Sequence, residues 1–230
     1  MRTTIAFDVY GTLINPLAMA DHLESLVGDA AVRFAELWRI KQLEYSFRRA
    51  LMRAYRPFSV CTREALLYTE EALGITLGGE SRDNLMQRYK KLPPFPEAAL
   101  GLSSLRNRGY LLAAFSNGEA EVVRGVLESA KLLPLFDDIV SADEVRTFKP
   151  DPAIYAHAVH RLGQAANTIW LVSSNPFDII GAKTAGLRVA WVKRHPKTVF
   201  DPWGIEPDLV VSGLDQLASL ISKMTSRLAR

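Results

Sequence analysis

The sequence is poor in cysteine, since Cys61 is the only one among 230 residues. A single cysteine excludes a fold that depends on internal disulfide bonds and is typical of a reducing compartment. Also missing is any continuous run of the ~18 apolar residues that a membrane-spanning helix requires. Asp8 interrupts the first apolar stretch, which argues against a secretory signal. These absences predict a cytoplasmic protein with no membrane partner.

A large excess of one charge sign is absent as well, because 28 Lys and Arg face 25 Asp and Glu. The basic residues are scattered and form no stripe with interleaved aromatic residues, so we expect no nucleic-acid partner. Apolar residues, in contrast, make up 48% of the chain. That content is enough for one substantial core, or for one core with a small appended domain.

The chain changes its pattern twice. Thr4 to Phe7 form a short apolar strand, and the stretch from Pro16 to Pro94 then shows helical periodicity without strand signals. The helices predicted there span 21–27, 31–55, 62–73 (opened by Thr62) and 80–90. From Glu97 onward, helices alternate with short apolar runs at 110–115, 139–140, 168–172, 187–192 and 209–211.

Such alternation is typical of parallel strands that are buried on both faces and joined by right-handed crossovers. The predicted fold class is therefore α/β, a doubly wound parallel sheet with a Rossmann-like core. We expect a core domain of residues 1–15 and 95–230. A helical cap domain of residues 16–94 is inserted after the first strand.

Polar side chains follow four of the predicted strands, all at the carboxyl edge of the sheet, where open α/β sheets bind ligands. They are Asp8; Ser116, Asn117 and Gly118; Lys149 and Asp151; and Ser173, Ser174, Asn175 and Asp178. Any one of them could simply cap a turn or a helix. Convergence of four such groups on one edge is harder to explain by capping alone.

The motifs Asp-x-Tyr-Gly-Thr at 8–12, Ser-Asn-Gly at 116–118, Lys-Pro-Asp at 149–151 and Ser-Ser-Asn-x-x-Asp at 173–178 resemble those of the haloacid dehalogenase superfamily. Residues 38–45, within the predicted cap, are similar to the halide-binding helix of its L-2-haloacid dehalogenases. The resemblance covers nearly the whole chain, and only the tail after His195 lacks a motif.

The superfamily consists mostly of phosphatases, so the subfamily must be argued from chemistry. A phosphatase expels an alkoxide and needs a general acid two residues after its nucleophile, where this chain has Tyr10. A phosphatase also gathers carboxylates around Mg²⁺, whereas Asp178 is the only carboxylate of the last motif. Halide leaves without a proton, and the cations Arg39 and Lys149 balance Asp8 and Asp178. We therefore expect no metal and no cofactor.

The resemblance implies that L-2-haloalkanoic acids are hydrolysed to D-2-hydroxyalkanoic acids through an ester on Asp8. Arg39 and Asn117 would stabilise the leaving halide. Arg39 shares a helix face with Leu43, which places a cation beside an apolar wall. Phe58 and Phe177 could complete this wall, although such aromatics are more often core packing. Some relatives carry Trp where this chain has Phe177, which concerns the size of the pocket rather than the reaction.

The remaining roles follow from the same resemblance. Ser116 and the backbone N–H groups around Val9 and Tyr10 would hold the substrate carboxylate, and Lys149 would keep Asp8 ionised. Asp178, with Asn175 and Ser173, would position the water that hydrolyses the ester. Thr12 would steady Asp8 and Tyr155 would support Lys149, or both could be ordinary packing residues.

The expected partners are a small 2-haloacid, a halide ion and a second copy of the chain, since the family's members are often homodimers. The apolar cap residues Leu66, Leu67 and Leu73 could form an interface or could be cap core. A Mg²⁺-dependent phosphatase acting on small phosphate esters is one alternative. A non-catalytic protein that kept the scaffold is the other, because a fold alone does not prove chemistry.

Overall fold

The computed structural model describes residues 2–228, with the side chains of residues 2–224. Within this range, one parallel sheet has the strand order β3-β2-β1-β4-β5-β6. The strands are β1 (Thr4–Asp8), β2 (Leu111–Ser116), β3 (Asp138–Ser141), β4 (Trp170–Ser173), β5 (Arg188–Val192) and β6 (Leu209–Val211). The predicted doubly wound sheet is confirmed.

Four helices, here called the cap helices, lie between β1 and the next core element: α1 (Met19–Val27), α2 (Ala31–Leu51), α3 (Phe58–Leu73) and α4 (Gly79–Tyr89). The others are α5 (Ala98–Asn107), α6 (Ala120–Ser129), α7 (Pro152–Leu162), α8 (Pro176–Thr184) and α9 (Leu217–Leu228). Residues 1, 229 and 230 of the predicted core domain lie outside the described residues.

Strand β1 is buried along its whole length and has packing partners on both faces. Ile5 and Phe7 belong to the apolar cluster that also holds residues of α5, α6 and α9. Ala6 belongs to a second cluster, which includes Ile154 of α7 and Ile179 of α8. Alternate residues thus face opposite helix layers, as a period of two requires. This explains why the strand reads as a continuous apolar run.

The connection order reverses at β1, because β2 pairs with it on one side and β4 on the other. The register sets Asp8 opposite Phe115 and Phe7 opposite Val172. The last residue of β1 therefore lies between the ends of two neighbouring strands. This topological switch point is where doubly wound sheets form their ligand crevice.

The chain leaves the sheet for the cap helices and returns to it along two adjacent segments. Ile14 forms a β-bridge with Pro94, the Asn15 amide donates to the Pro93 carbonyl at 2.9 Å, and the Phe95 amide donates to the Leu13 carbonyl at 2.9 Å. The two segments that connect the sheet to the cap helices are therefore hydrogen-bonded to each other, a few residues after Asp8.

Two predicted helix ends were wrong. Helix α2 ends at Leu51 rather than Tyr55, because Arg53 adopts a left-handed conformation with φ of 54°. No glycine marks this stop, so the sequence carried no clear signal for it. Helix α3 begins at Phe58, directly after Pro57, rather than at Thr62. Thr62 lies one turn inside the helix, and its buried hydroxyl donates to the Phe58 carbonyl at 2.9 Å.

Candidate active site

Asp8 is almost completely enclosed, with its side chain 10% exposed. Its Oδ2 accepts hydrogen bonds from Thr12 Oγ1 at 2.8 Å, Asn175 Nδ2 at 2.7 Å and Ser173 Oγ at 3.4 Å. Its Oδ1 accepts from Lys149 Nζ at 3.1 Å, and within the described residues it has no other donor. One carboxylate oxygen is therefore saturated, while the other keeps a lone pair for a ligand.

The turn after Asp8 brings Thr12 back to the carboxylate. Gly11 adopts a φ of 97°, which favours glycine, and a Cβ there would lie 3.4 Å from Asn175 Nδ2 and Ser174 Oγ. The Thr12 hydroxyl also accepts from the Ser174 amide at 2.8 Å. Thr12 therefore ties β1 to the loop after β4, besides contacting Asp8.

Lys149 is buried and uses all three of its N–H donors. Nζ donates to Asp8 Oδ1 at 3.1 Å, to the Phe115 carbonyl at 2.9 Å and to Asp178 Oδ2 at 2.8 Å. The other oxygen of Asp178 accepts from the Tyr155 hydroxyl at 2.9 Å. The ammonium therefore bridges two buried carboxylates, and the arrangement is rigid because each of its three donors has an acceptor.

Burial raises the pKa of Asp178 above its usual value, against the opposing effect of the Lys149 ammonium, and the nearby Asp8 adds to the rise. Burial also raises the pKa of the Tyr155 phenol, and the adjoining Asp178 raises it further. The phenol is therefore a neutral hydrogen-bond donor to Asp178 rather than a group that ionises near neutral pH.

A small cavity adjoins Asp8, with a free volume of about 10 Å³, close to the space that one water molecule needs. Its lining consists of Asp8, Tyr10, Arg39, Leu43, Phe58, Ser116, Asn117, Lys149, Asn175 and Phe177. The cap helices supply Arg39, Leu43 and Phe58, and the other seven come from strand ends of the sheet, from the loops that follow the strands and from the start of α8. The site therefore lies between the cap helices and the sheet.

Arg39 is the cation that the cap helices contribute. Its Nη2 donates to the Tyr10 carbonyl at 3.0 Å, and its Nη1 donates to Gln42 Oε1 at 2.7 Å. The Tyr10 ring lies in the wall, and burial raises the pKa of its phenol well above the usual range. The guanidinium is thus anchored on both sides of the cleft, beside a neutral aromatic residue.

Two predicted ligand-binding side chains also have local bonds. Asn117 Oδ1 accepts from the Lys149 amide at 2.8 Å, so it fixes the backbone of the lysine, and its Nδ2 group has no acceptor within the described residues. Ser116 Oγ accepts from the Gly118 amide at 3.1 Å. Ser116 therefore stabilises its own turn, Asn117 holds the turn at Lys149, and both still line the cavity.

The structure does not bring every predicted site residue to the cavity. Asp178, Tyr155, Ser173 and Thr12 are not among the lining residues and contact it only through Asp8 and Lys149. Val9 is buried, and its carbonyl accepts from the Thr12, Leu13 and Ile14 amides in the turn. The role given to the N–H groups of Val9 and Tyr10 stays a prediction.

Sequence reasoning missed two contributors. Gln42, next to Arg39 on α2, had a signal in its i, i+3 spacing from a cation that was already singled out. Arg194 donates to the Gly11 and Thr12 carbonyls at 3.1 and 2.6 Å and to Glu97 at 2.8 Å, and its guanidinium lies 3.7 Å from the Phe95 ring centroid. It follows β5 at the same carboxyl edge as the four predicted motifs.

Further limits on ligands come from the described residues 2–228. No group of three or more His, Cys, Asp or Glu side chains there is arranged to hold a metal ion. None of the described helices is both long and apolar enough to cross a bilayer.

This chain is a Rossmann-like α/β protein with a largely buried ligand site. The class is defined by the parallel sheet, by its switch point and by the carboxylate–lysine cluster beneath the cap helices. The family model for haloacid dehalogenase-like hydrolases matches residues 3–186, and the chain belongs to this family. The resemblance seen in the sequence motifs is thereby confirmed.

Within this family, the chain is similar to several known dehalogenases. Haloacetate dehalogenase H-2 of Moraxella sp. (strain B) is 37% identical over 218 residues, which cover 95% of this chain and 97% of that protein. (S)-2-haloacid dehalogenase 2 of Pseudomonas sp. (strain CBS-3) is also 37% identical over 218 residues, covering 95% of each chain. The structure of L-2-haloacid dehalogenase from Xanthobacter autotrophicus with chloropropionic acid covalently bound superposes with a TM-score of 0.92. Its identity is 33%, and the match covers 97% of this chain and 100% of that one.

Proposed function

We propose that this chain hydrolyses L-2-haloalkanoic acids to D-2-hydroxyalkanoic acids and halide, through an ester on Asp8. The observation that carries the proposal is an Asp8 oxygen with a free lone pair, at a small cavity that Arg39 also lines. The named activities of the relatives, and the covalently bound chloropropionic acid of the Xanthobacter enzyme, support the same reaction.

In the first step, Asp8 Oδ1 attacks the carbon that bears the halogen and displaces the halide with its bonding electron pair. Thr12 and Asn175 hold Oδ2, so Oδ1 is the oxygen that keeps a lone pair. Lys149 donates a hydrogen bond to Oδ1 at 3.1 Å and orients this oxygen. The Asp8 carboxylate becomes an uncharged ester group, the halide carries away the negative charge and the substrate carboxylate stays ionised, so no proton is needed in this step.

The halide leaves toward the Arg39 guanidinium and the Asn117 amide, with Leu43, Phe58 and Phe177 as its dry surroundings. Donors that are already oriented stabilise charge as it develops, and they do so more strongly where water is excluded. Ser116 binds the carboxylate of the substrate, together with the backbone amides of the turn after Asp8.

In the second step, water attacks the ester carbonyl of Asp8 and the acyl C–O bond breaks. One water proton goes to the departing hydroxyl oxygen, and the other is lost to solvent. Ionised Asp178, which is bonded to Lys149 outside the cavity lining, favours this loss by its negative charge. Asn175 and Ser173 help to orient this water. The substrate carbon is inverted once, in the first step, so an L substrate gives a D product.

A phosphatase is the weaker alternative for this site. The residue two positions after Asp8 is Tyr10, and burial raises the pKa of its phenol, so it is a poor proton donor to a leaving alkoxide. Arg39 and Lys149 balance Asp8 and Asp178 in charge before a monoanionic haloacid binds. A phosphate dianion would bring excess negative charge to the same site.

We also propose that residues 16–94 form a cap domain on a core of residues 1–15 and 95–230, supported by the paired segments at Ile14 and Pro94. A cytoplasmic location is supported by the lone buried thiol of Cys61.

We propose a homodimer as well. Leu66 is cap core, whereas Leu67 is 44% exposed and remains available for an interface. Light scattering of the purified chain measures the oligomeric state.

Halide release from racemic 2-chloropropionate, with chiral analysis of the lactate, tests the reaction. Release of chloride with D-lactate as product is expected, and it should persist after EDTA treatment. The same preparation is assayed with p-nitrophenyl phosphate, with and without Mg²⁺. Phosphate release alone would establish the phosphatase alternative, and no turnover of either compound would indicate the non-catalytic one.

A single turnover in H₂¹⁸O, with enzyme in excess over substrate, tests the ester. The label should appear in the side chain of Asp8, because water attacks the acyl carbon. Label in the released lactate alone would instead show direct attack of water on the substrate.

A further inference from the structure

Arg39 is held by a neighbour on its own helix, Gln42, whose side chain is completely buried. The Arg39 Nη1 atom lies 2.7 Å from an amide atom of Gln42. A guanidinium has only donors, so this amide atom must be the oxygen, Oε1. The orientation of the Gln42 amide is therefore determined by chemistry.

The rest of the network agrees with this orientation. Gln42 Oε1 also accepts from the Tyr89 hydroxyl at 2.9 Å, and Gln42 Nε2 donates to Thr62 Oγ1 at 2.6 Å. The Thr62 hydroxyl in turn donates a hydrogen bond to the Phe58 carbonyl at 2.9 Å. Helices α2, α3 and α4 each supply one member, so three cap helices fix one amide. A buried network in which each group is satisfied is rigid.

The consequence for Arg39 is a fixed guanidinium that still has donors to offer. Nη1 is bound to Gln42 and Nη2 to the Tyr10 carbonyl at 3.0 Å. Those two bonds use two of its five N–H groups, and the other three have no acceptor within the described part of the chain. Since Arg39 lines the cavity, these donors can serve an anion there.

The anchor is an amide and not a carboxylate, and this difference has an electrostatic effect. A buried carboxylate at 2.7 Å would form an ion pair with Arg39 and cancel the positive charge that a leaving anion requires. A neutral amide oxygen restrains the guanidinium and leaves its charge intact. Gln42 itself is not among the residues that line the cavity, so it acts through Arg39.

We propose that Gln42, held by Thr62 and Tyr89, is the positioning residue that keeps Arg39 oriented and fully charged toward the leaving halide. This inference rests on the dehalogenase function proposed above and extends it to a residue outside the cavity. The chloride-release assay of the wild-type protein distinguishes failure of the proposed function from failure of this inference. If the wild type releases no chloride from 2-chloropropionate, the proposed function is wrong, and no variant is needed to show it.

Gln42→Glu is the most informative variant, because it keeps the shape of the side chain and adds a negative charge beside Arg39. It also replaces the N–H donor to Thr62 with an oxygen. We expect kcat for 2-chloropropionate to fall by about 10- to 100-fold, the range seen when groups that orient ligating side chains are changed. The inhibition constant of bromide should rise, because the Arg39 charge is neutralised. The inhibition constant of D-lactate, which carries a carboxylate and no halide, should change less.

A matched pair in α3 separates positioning from ordinary packing. Thr62 and Thr69 are both buried, and both donate to the carbonyl four residues earlier, at 2.9 and 2.8 Å. Thr62 alone of the two accepts from Gln42. We expect Thr62→Val to lower kcat by about threefold to tenfold and Thr69→Val to leave it unchanged. Both variants lose the bond to the carbonyl four residues earlier, and Thr62→Val also loses the acceptor of Gln42 Nε2, so its thermal stability should fall at least as far as that of Thr69→Val.

A purely structural role predicts another pattern. Gln42→Glu would then lower the melting temperature while kcat and the bromide inhibition constant of the folded enzyme stay within twofold of wild type, and that result overturns the proposal. Equal kcat values for Thr62→Val and Thr69→Val would overturn it too. Should Gln42→Glu fail to fold, the threonine pair decides alone.

Discussion

The sheet edge and the cap helices each contribute one cation to the site, and they hold it in opposite ways. Lys149, on the sheet side, has all three N–H groups donated to protein acceptors, two of them carboxylates. Arg39, on the cap side, has two N–H groups donated, both to neutral oxygens. A saturated cation organises its surroundings, whereas an unsaturated one can bind a ligand. The comparison assigns structure and charge balance to Lys149, and anion binding to Arg39.

The largest effect is expected at the group that both cations serve. Asp8→Asn keeps an oxygen acceptor for Thr12 but removes the anionic oxygen, so turnover of 2-chloropropionate should fall by at least about 10⁴-fold. Chloride release with a sensitive electrode measures this loss. Activity within tenfold of wild type would remove Asp8 from the nucleophilic role.

Lys149→Met should damage both stability and activity. It leaves Asp8 and Asp178 buried without their cation, and removing one partner of a buried pair costs roughly 3–5 kcal/mol. Urea denaturation of variant and wild type gives the free energy of unfolding. A loss below 1 kcal/mol would show that the ammonium does not balance these carboxylates in the folded protein.

Arg39→Ala should separate activity from stability. The side chain is half-buried and its two acceptors are neutral, so the free energy of unfolding should change by less than about 1 kcal/mol. Turnover should nevertheless fall about 10²- to 10³-fold, as when an oriented donor is removed from a site of developing charge. If both cation variants lost stability equally, the contrast between Lys149 and Arg39 would not hold.

The smallest effect is a shift in pH dependence on the sheet side. Burial raises the pKa of Asp178, so this carboxyl keeps its proton to a higher pH than an ordinary aspartate. Ionised Asp178 is proposed for ester hydrolysis, so activity should be lost as pH falls through that raised pKa. The Tyr155 bond opposes the rise, and Tyr155→Phe should therefore move the acid limb of kcat to higher pH. Thr69→Val should leave the limb in place, and an unmoved limb in Tyr155→Phe would show that another group titrates there.

Much of the fold could be predicted from local pattern. Strand β6 begins and ends at the predicted residues, because a short apolar run marks it, and the local signals of Pro152 and Gly163 coincide with the start and the C-cap of helix α7. Helices α2 and α3 were misjudged where they meet, because α2 stops at a left-handed arginine instead of a glycine. At such positions, tertiary packing overrides local preference.

In the candidate site, too, some residues could be predicted from local pattern, whereas others depend on tertiary contacts. Asp8, Lys149 and the serine and asparagine residues after β2 and β4 stood out because each follows a strand of the same parallel sheet. Gln42 did not stand out, because its partners Tyr89 and Thr62 lie on other helices, 47 and 20 residues away in the chain. Arg194 was missed for a related reason, since the carbonyls that it binds belong to a turn 183 residues earlier.

The sequence by itself determined the doubly wound sheet and the edge on which the reactive groups meet, because periodicity and strand ends are local properties and parallel strands share one carboxyl edge. Only the tertiary structure decided which of these groups are satisfied and which remain free. Asp8 Oδ1 and three N–H groups of Arg39 are open to a ligand, whereas Lys149 is saturated. That difference depends on distances between distant segments, and hydrogen bonds form only where folding brings donor and acceptor within about 3 Å.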